Sequence, residues 1–263
     1  MKIIKKGQAF DHVEVMLDTY YHFNPLYDKV TFLLGYNLYS ENELADVIKR
    51  EHVSGHKVIA YQLEQLYKGS RWVTKHGISC LRQMDEVWDY DLLNIEFLSS
   101  TFNITPKLRP MLYTEDLNLI TKVPVEKHDI DLLFYGSMNE ARANTLTNIR
   151  KANPGKNVVF LDNAWGVELD NNIARSKIVL NLHYYPTIRQ EQVRMFYLLI
   201  NGKCVVSEYS VDNYLGDCIY NINRDSLGYV CNELLNTGAW LKQTQRVERA
   251  YKELSDSYIK RFR

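Results

Sequence analysis

Short runs of consecutive apolar or β-branched residues alternate along the chain with longer stretches whose apolar positions recur every three to four residues. In the first half the runs are 2–5, 29–35 (KVTFLLG), 57–61 (KVIAY), 85–90 (DEVWDY) and 107–113, which predict strands. Helices are predicted between them near 11–22, 41–51, 70–82 and 91–100. Residues 119–128 (LITKVPVEKH) include Pro124, lack periodicity and predict a linker. The alternation restarts with strands at 129–135 (DIDLLFY), 157–161 (NVVFL), 177–183 (KIVLNLH), 203–207 (KCVVS) and 218–222 (CIYNI). Helices fit at 138–152, 168–176, 187–201 and 225–236, and 239–262 predicts one long amphipathic helix or a kinked pair.

Strand–helix alternation calls for crossover connections and a parallel sheet covered on both faces. Two such runs predict an α/β protein of two facing Rossmann-like domains, residues 1–122 and 123–240, with residues 241–263 crossing back onto the first domain. The length of 263 residues accommodates that arrangement. Hydrophobic residues at 46% and charged residues at 24% exclude disordered, collagen-like and coiled-coil chains. Lys+Arg and Asp+Glu balance at 32 each, so composition alone draws the chain to neither nucleic acid nor membrane. The opening MKIIKKGQAF leads into no apolar core, and no apolar run reaches spanning length. The expectation is a cytoplasmic protein without membrane insertion, in the host cytoplasm if the chain is viral. Cys80, Cys204, Cys218 and Cys231 form no CxxC pair and are expected as buried thiols. The 19 tyrosines, with frequent Asn and Lys, hint at an AT-rich coding genome of the kind many viruses have.

Ligands of open parallel sheets sit beyond the carboxyl ends of the strands. In the second half those ends read Gly136-Ser137, Asp162-Asn163, His183-Tyr184, Ser207-Glu208 and Asn223, which predict the lining of a cleft. Gly136 lets a ligand approach backbone, Ser137 opens a helix whose amide groups suit an anion, and Arg142 lies one turn on. Ser137 with Glu140 also fits a capping box. Neither GxGxxG nor GxxxxGK[ST] occurs. In the next helix Glu191 and Arg194 share a face, as ligand groups or as a local ion pair, while Val193, Phe196, Tyr197 and Ile200 make its buried stripe. His183 reads either as a site residue or as a structural histidine. Trp165, Tyr184 and Tyr185 are candidate stacking platforms, and Trp88 a core residue. Asp89-Tyr90-Asp91 is read as a divalent-metal motif or, at Asp91, a helix N-cap; Asp129 and Asp131 precede their strand, at the wrong end for a cleft. Glu64 after the third strand is a candidate general base or a helix-start carboxylate, with Asp11 and His12 as competitors.

Three strings carry a resemblance: DLLFYGSMNEAR (131–142), ARSKIVLNLHYY (174–185) and EQVRMFYLLINGKCVVSE (191–208). They resemble the glycosyltransferase 1-like group of GT-B glycosyltransferases, including relatives of the CgeB type. AYQLEQL (60–66) and EVWDYDLLNIEFL (86–98) resemble segments of that group's amino-terminal domain. The resemblance implies a GT-B fold whose second domain holds a nucleotide-diphospho-sugar, a UDP-sugar favoured, while the first presents an acceptor hydroxyl, with transfer between them. It implies no required cofactor and no bound metal, the departing diphosphate being met by Ser137, Arg142 and Arg194, and ribose by Glu191. One departure is that Arg189 and Tyr197 stand where retaining members place paired glutamates. Size and composition are similar in outline to phage enzymes that glycosylate 5-hydroxymethylcytosine in DNA. Lys68, Arg71, Lys75, Lys260, Arg261 and Arg263 would then hold phosphates of duplex DNA. Glycosylation of bacterial surface polysaccharide or protein, and a non-catalytic sugar-nucleotide-binding module, are the alternatives.

Overall fold

The computed structural model describes residues 1–7, 10–22, 24–162 and 164–262; Asn163 and Arg263, singled out above, lie outside the described residues. Among them, ten strands form two parallel five-stranded sheets. The protein is α/β, with two Rossmann-like units.

In the first unit the elements run β1 (Lys2–Lys5), α1 (Asp11–Tyr21), β2 (Val30–Leu34), α2 (Glu41–Val53), β3 (Lys57–Gln62), α3 (Lys75–Gln83), β4 (Glu86–Asp89), α4 (Leu92–Phe102) and β5 (Lys107–Leu108). The spatial order β1-β2-β3-β4-β5 follows the chain. Side chains alternate across a strand, so neighbouring Phe32 and Leu33 serve opposite faces. Leu33, Val58, Ala60 and Val87 pack with Leu44 and Ile48 of α2, Ile78 and Leu81 of α3 and Leu98 of α4. On the other face Phe32 and Trp88 lie 4.8 Å apart between ring centroids and meet Tyr21 at the end of α1. Trp88 is thus a core residue, as its alternation predicts.

Local chemistry moves several predicted boundaries. The helix expected over 70–82 starts at Lys75, because residues 65–73 close a turn in which Ser70 Oγ donates to the Gln65 carbonyl and accepts from Trp72 N. Thr74 then caps the helix by accepting from Gly77 N. The strand expected over 107–113 shrinks to Lys107–Leu108, bracketed by Pro106 and Pro110, which cannot donate to a ladder.

The second unit runs β6 (Ile130–Tyr135), α5 (Glu140–Ala152), β7 (Val158–Leu161), α6 (Gly166–Arg175), β8 (Ser176–Asn181), α7 (Gln192–Ile200), β9 (Cys204–Glu208), β10 (Tyr220–Ile222), α8 (Leu227–Thr237) and α9 (Ala239–Phe262). Leu132, Phe134, Ile178, Leu180, Cys204 and Val206 pack with Leu146 and Ile149 of α5 and Leu227, Cys231 and Leu234 of α8. Helix α7 packs on β9 and is covered by α9, so Met195 through Ile200 are all buried, a wider apolar surface than the single stripe expected. All four cysteines are buried free thiols, as expected.

The strand order β10-β9-β8-β6-β7 decides where a ligand can sit. The chain leaves β6 for β7, returns past β6 to β8, and then moves outward to β9 and β10. The reversal lies between β6 and β8, and such switch points open a crevice at the carboxyl ends of the strands.

The contacts divide the chain into Met1–Leu112 and Tyr113–Arg263, about ten residues before the expected boundary. Residues 113–122 belong to the second unit because their polar groups are satisfied there. Tyr113 N donates to Ser255 Oγ at 2.9 Å, Ile120 N donates to Asn201 Oδ1 at 2.8 Å, and Asn201 Nδ2 donates to the Leu117 carbonyl. The terminal helix, expected to cross back onto the first domain, is likewise grouped with the second unit, where it packs on α7, α8 and β9 and buries Val247 and Tyr251.

Candidate functional site

The switch point gathers residues from β6, α5, β8 and α7. At the end of β6, Gly136 has φ +120°, a conformation that L side chains rarely adopt. A Cβ there would stand 2.9 Å from Nη2 of Arg194, so the glycine is what lets the guanidinium lie against the backbone. Arg194 Nη1 donates to the Tyr135 carbonyl at 2.9 Å, and its Nε lies 3.4 Å from Glu191 Oε2. No acceptor engages Nη2 among the described residues. Glu191, just before α7, also has Oε1 3.4 Å from Tyr184 N and 3.5 Å from Arg142 Nη2. The predicted face shared by Glu191 and Arg194 is therefore one corner of a larger network.

Arg142 does something different from the expected phosphate contact. It is 2% exposed, and Nε and Nη2 both donate to the Leu182 carbonyl, at 2.9 and 2.6 Å. Its Nη1 donates to the Ser137 carbonyl at 2.7 Å. The guanidinium is stacked between the rings of Phe134 and Tyr184, and burial pushes its pKa down to about 10. Three of its five N–H groups are thereby occupied, in a clamp joining the loop after β6 to the end of β8, and Nη2 also faces Glu191 Oε1. Ser137 is exposed in that loop, but it is not the N-cap. Asn139 is, accepting from Arg142 N at 2.9 Å, so the expected Ser137–Glu140 capping box does not form. The physical reason is that Asn139 also donates its amide to the Tyr184 carbonyl, fixing the helix start two residues later.

His183 is buried at the end of β8. Its Nε2 donates to the Tyr209 carbonyl at 3.0 Å and meets Ser210 Oγ, while its backbone N donates to Glu208 Oε2 at 2.7 Å. Glu208, 3% exposed at the end of β9, ion-pairs through Oε1 with Nε of Arg224 beyond β10. The ends of β8, β9 and the segment after β10 are thus bound together. Against them opens a cleft of about 650 Å³, lined by Ala141, His183, Tyr184, Tyr185, Pro186, Ile188, Glu208, Tyr209, Asn223, Arg224 and Asp225. That volume is in the range of small-molecule sites. Ile188, a β-branched residue, has φ +44° at the cleft mouth, held by Val211 N donating to its carbonyl. This strained turn explains why the helix expected from 187 starts at Gln192.

Of the residues predicted from sequence, Gly136, Ser137, Arg142, His183, Tyr184, Glu191 and Arg194 come together on this edge. Trp165, 56% exposed before α6, does not line the cleft. Sequence reasoning missed Arg224 and Asp225 as lining residues, and it missed the pairing of Glu208 with Arg224. Glu208 and Asn223 were visible as strand ends, but nothing local pairs Glu208 with a residue sixteen positions on.

The candidate bases lie in the first unit. Asp11 is the exposed first residue of α1 and pairs with Lys5 at 2.6 Å; His12 follows it, half-buried. Glu64 is half-buried in the turn after β3, not at a helix start, and its carbonyl accepts from Asn94 Nδ2. Asp91 caps α4 by accepting from Leu93 N, and Asp89 accepts from Asp91 N and Asn94 Nδ2. Asp129 and Asp131 pair with Arg175 and Lys177 at the opposite end of the second sheet from the cleft. Among the described residues no three His, Cys, Asp or Glu side chains come together as a metal site, and no helix is long and apolar enough to cross a membrane.

No family model matches the sequence, and no curated protein matches it. Among the solved structures that resemble the chain are the following two. One is MurG of Acinetobacter baumannii, 9% identical with a TM-score of 0.40 over 87% of this chain and 69% of that one. The other is an alpha1,3-fucosyltransferase, 12% identical with a TM-score of 0.45 over 93% and 80%.

Proposed function

We propose that this chain is a glycosyltransferase that takes a nucleotide-diphospho-sugar on its second domain and moves the sugar to an acceptor hydroxyl. The observation that supports this reading is a convergence. The strings 131–142, 174–185 and 191–208, which carry the resemblance to GT-B glycosyltransferases, end at one sheet edge, at the topological switch point, beside the cleft. In the transfer the bond from the anomeric carbon to the diphosphate oxygen breaks, and the acceptor oxygen forms the new bond as its proton leaves. Negative charge develops on the departing diphosphate. Arg194, with Nη2 beside Gly136 and its other groups pinned by Tyr135 and Glu191, is oriented in advance to meet that charge. Arg142 serves as the positioning residue that shapes the Ser137 loop. Glu64, at the carboxyl end of β3, is the proposed base.

Calorimetry with UDP-, GDP- and ADP-sugars tests the donor site. Arg194→Ala should weaken the best donor more than about tenfold, since a hydrogen bond to a charged group contributes roughly 1.5–3 kcal/mol. Undiminished binding removes Arg194 from the site. Glu64→Gln should lower turnover at least about a hundredfold while leaving donor affinity unchanged; equal turnover reassigns the base. Release of nucleoside diphosphate is then followed with hydroxymethylcytosine DNA, unmodified DNA and a cell-envelope extract as acceptors. Donor binding without release or transfer in any arm identifies a binding module instead.

A further inference from the structure

The cleft holds two kinds of polar group. Glu208 is already engaged, one oxygen by His183 N and the other by Arg224, so it has little left for a ligand. Asp225 and Asn223 also line the cleft, and no hydrogen bond or ion pair engages either side chain among the described residues. Arg224 is half-exposed, and only its Nε is engaged, leaving both terminal nitrogens available. The cleft therefore offers an unpaired carboxylate next in sequence to a guanidinium that is held from behind. Its walls include the rings of Tyr184 and Tyr209. The Tyr184 ring is steadied 5.1 Å from the Arg142 guanidinium, and Tyr209 N is fixed on the Ile222 carbonyl at 2.7 Å. A flat heterocycle that can stack on an aromatic side chain and meet charged groups at its edge suits a cleft lined by these residues.

The charges discriminate among the heterocycles. Guanine presents N1–H and its exocyclic amine side by side, two donors that match one carboxylate, and O6 with N7, two acceptors that match one guanidinium. Uracil presents a single N–H between two carbonyl oxygens, which would face the carboxylate with acceptors. Adenine and cytosine each set a donor beside an acceptor, so neither charged group is fully matched. We propose that Asp225 and Arg224 make this cleft selective for a guanine nucleoside diphosphate, so that the donor is a GDP-sugar rather than the UDP-sugar favoured by resemblance. The inference rests on the donor reading above and adds the identity of the base.

The test is calorimetry of the full chain with GDP, UDP, ADP, CDP and XDP, repeated on Asp225→Asn. Wild type should bind GDP at least about tenfold more tightly than the other four. Asn in place of Asp225 presents one acceptor and one donor, which match N1–H and the C2 carbonyl of xanthine. Asp225→Asn should therefore lose at least about tenfold in GDP affinity and gain in XDP affinity, an inversion that general damage to the cleft would not produce. If UDP, ADP or CDP binds wild type as tightly as GDP, or if Asp225→Asn leaves the GDP to XDP ratio unchanged, guanine selectivity is overturned while the donor reading stands. Absence of binding by all five nucleotides overturns both. Because Asp225 is exposed and unpaired, its substitution should leave the thermal unfolding midpoint within a degree or two of wild type.

Discussion

Two arginines that look alike in sequence have opposite work in the fold. Arg194 is partly exposed and keeps one terminal nitrogen unengaged, whereas Arg142 is enclosed and donates to two backbone carbonyls. Removing Arg142 takes both its donors from the buried Leu182 carbonyl, at a cost of about 1–3 kcal/mol for an unpaired buried group, and also removes the packing of its guanidinium between Phe134 and Tyr184. Arg142→Ala should therefore destabilise the chain by about 3 kcal/mol in urea unfolding, while Arg194→Ala should change stability by less than about 1 kcal/mol. Equal losses in the two variants would mean that Arg142 is not the clamp its contacts describe. Gly136 links the two. Gly136→Ala meets both a positive φ and the Arg194 guanidinium, so it should lower stability by about 1–3 kcal/mol and reduce donor affinity much as Arg194→Ala does. The sequence marks Gly136 as the end of a strand, Arg142 as one turn into the helix that follows, and Arg194 only by the helix face it shares with Glu191. Which arginine is enclosed was not legible, because the Leu182 carbonyl that Arg142 binds is 40 positions away.

At the scale of elements, hydrophobic periodicity locates nearly every strand and helix, since the core faces of both sheets are continuous apolar runs. It fails where polar side chains or proline end an element: Thr74 at α3, Asn139 at α5, the prolines around β5 and the Ile188 turn before α7. Side-chain contacts between distant elements are the other illegible feature, and Glu51 is an instance. It sits 1% exposed on α2, where it takes a hydrogen bond from Lys2 of β1 at 2.7 Å and another from Thr31 of β2 at 2.9 Å, with Arg50 at 3.0 Å. Burial pushes its carboxyl up, but the bonds from Lys2, Arg50 and Thr31 outweigh this and hold it at about 2, below the ordinary 4.5. A depressed carboxyl stabilises the fold fully above its unfolded pKa, and that stability is lost as pH falls through the window from 4.5 to about 2. Glu51→Gln should cost about 2 kcal/mol at pH 7. The gap between variant and wild type should close as the pH is lowered through that window. A gap that stays constant down to pH 2 would show that the charge on Glu51 contributes nothing to holding α2 on the sheet.

At the scale of the whole molecule, the question is where one folding unit stops and the next begins. Pro124 and the aperiodic stretch 119–128 place the break near 122, because loss of periodicity is the signal a sequence offers. The structure places it at 112/113, because ten apparently irregular residues fasten themselves to the second unit. Leu117 and Ile120 are buried, Tyr113 is held by Ser255 and Glu248, and Asn118 donates to Glu248 at 2.9 Å. The segment crosses the space between α7 and α9, and without it Asn201 loses both its Leu117 and Ile120 partners. The second unit meanwhile has a complete sheet and its own core, and every residue of the proposed donor site from Tyr135 to Asp225 lies within it. A fragment spanning 113–263 should therefore unfold in a single cooperative transition and retain GDP affinity within about threefold of the full chain. A fragment spanning 123–263 exposes the apolar ground under Leu117 and Ile120 and leaves Asn201 with only its bond to the Tyr197 carbonyl, so it should be less stable by at least about 3 kcal/mol or fail to fold. Urea unfolding followed by circular dichroism, with calorimetry on whichever fragments fold, distinguishes the two boundaries. If 123–263 matches 113–263 in stability, the ten residues are a linker after all and their contacts with α7 and α9 carry no weight.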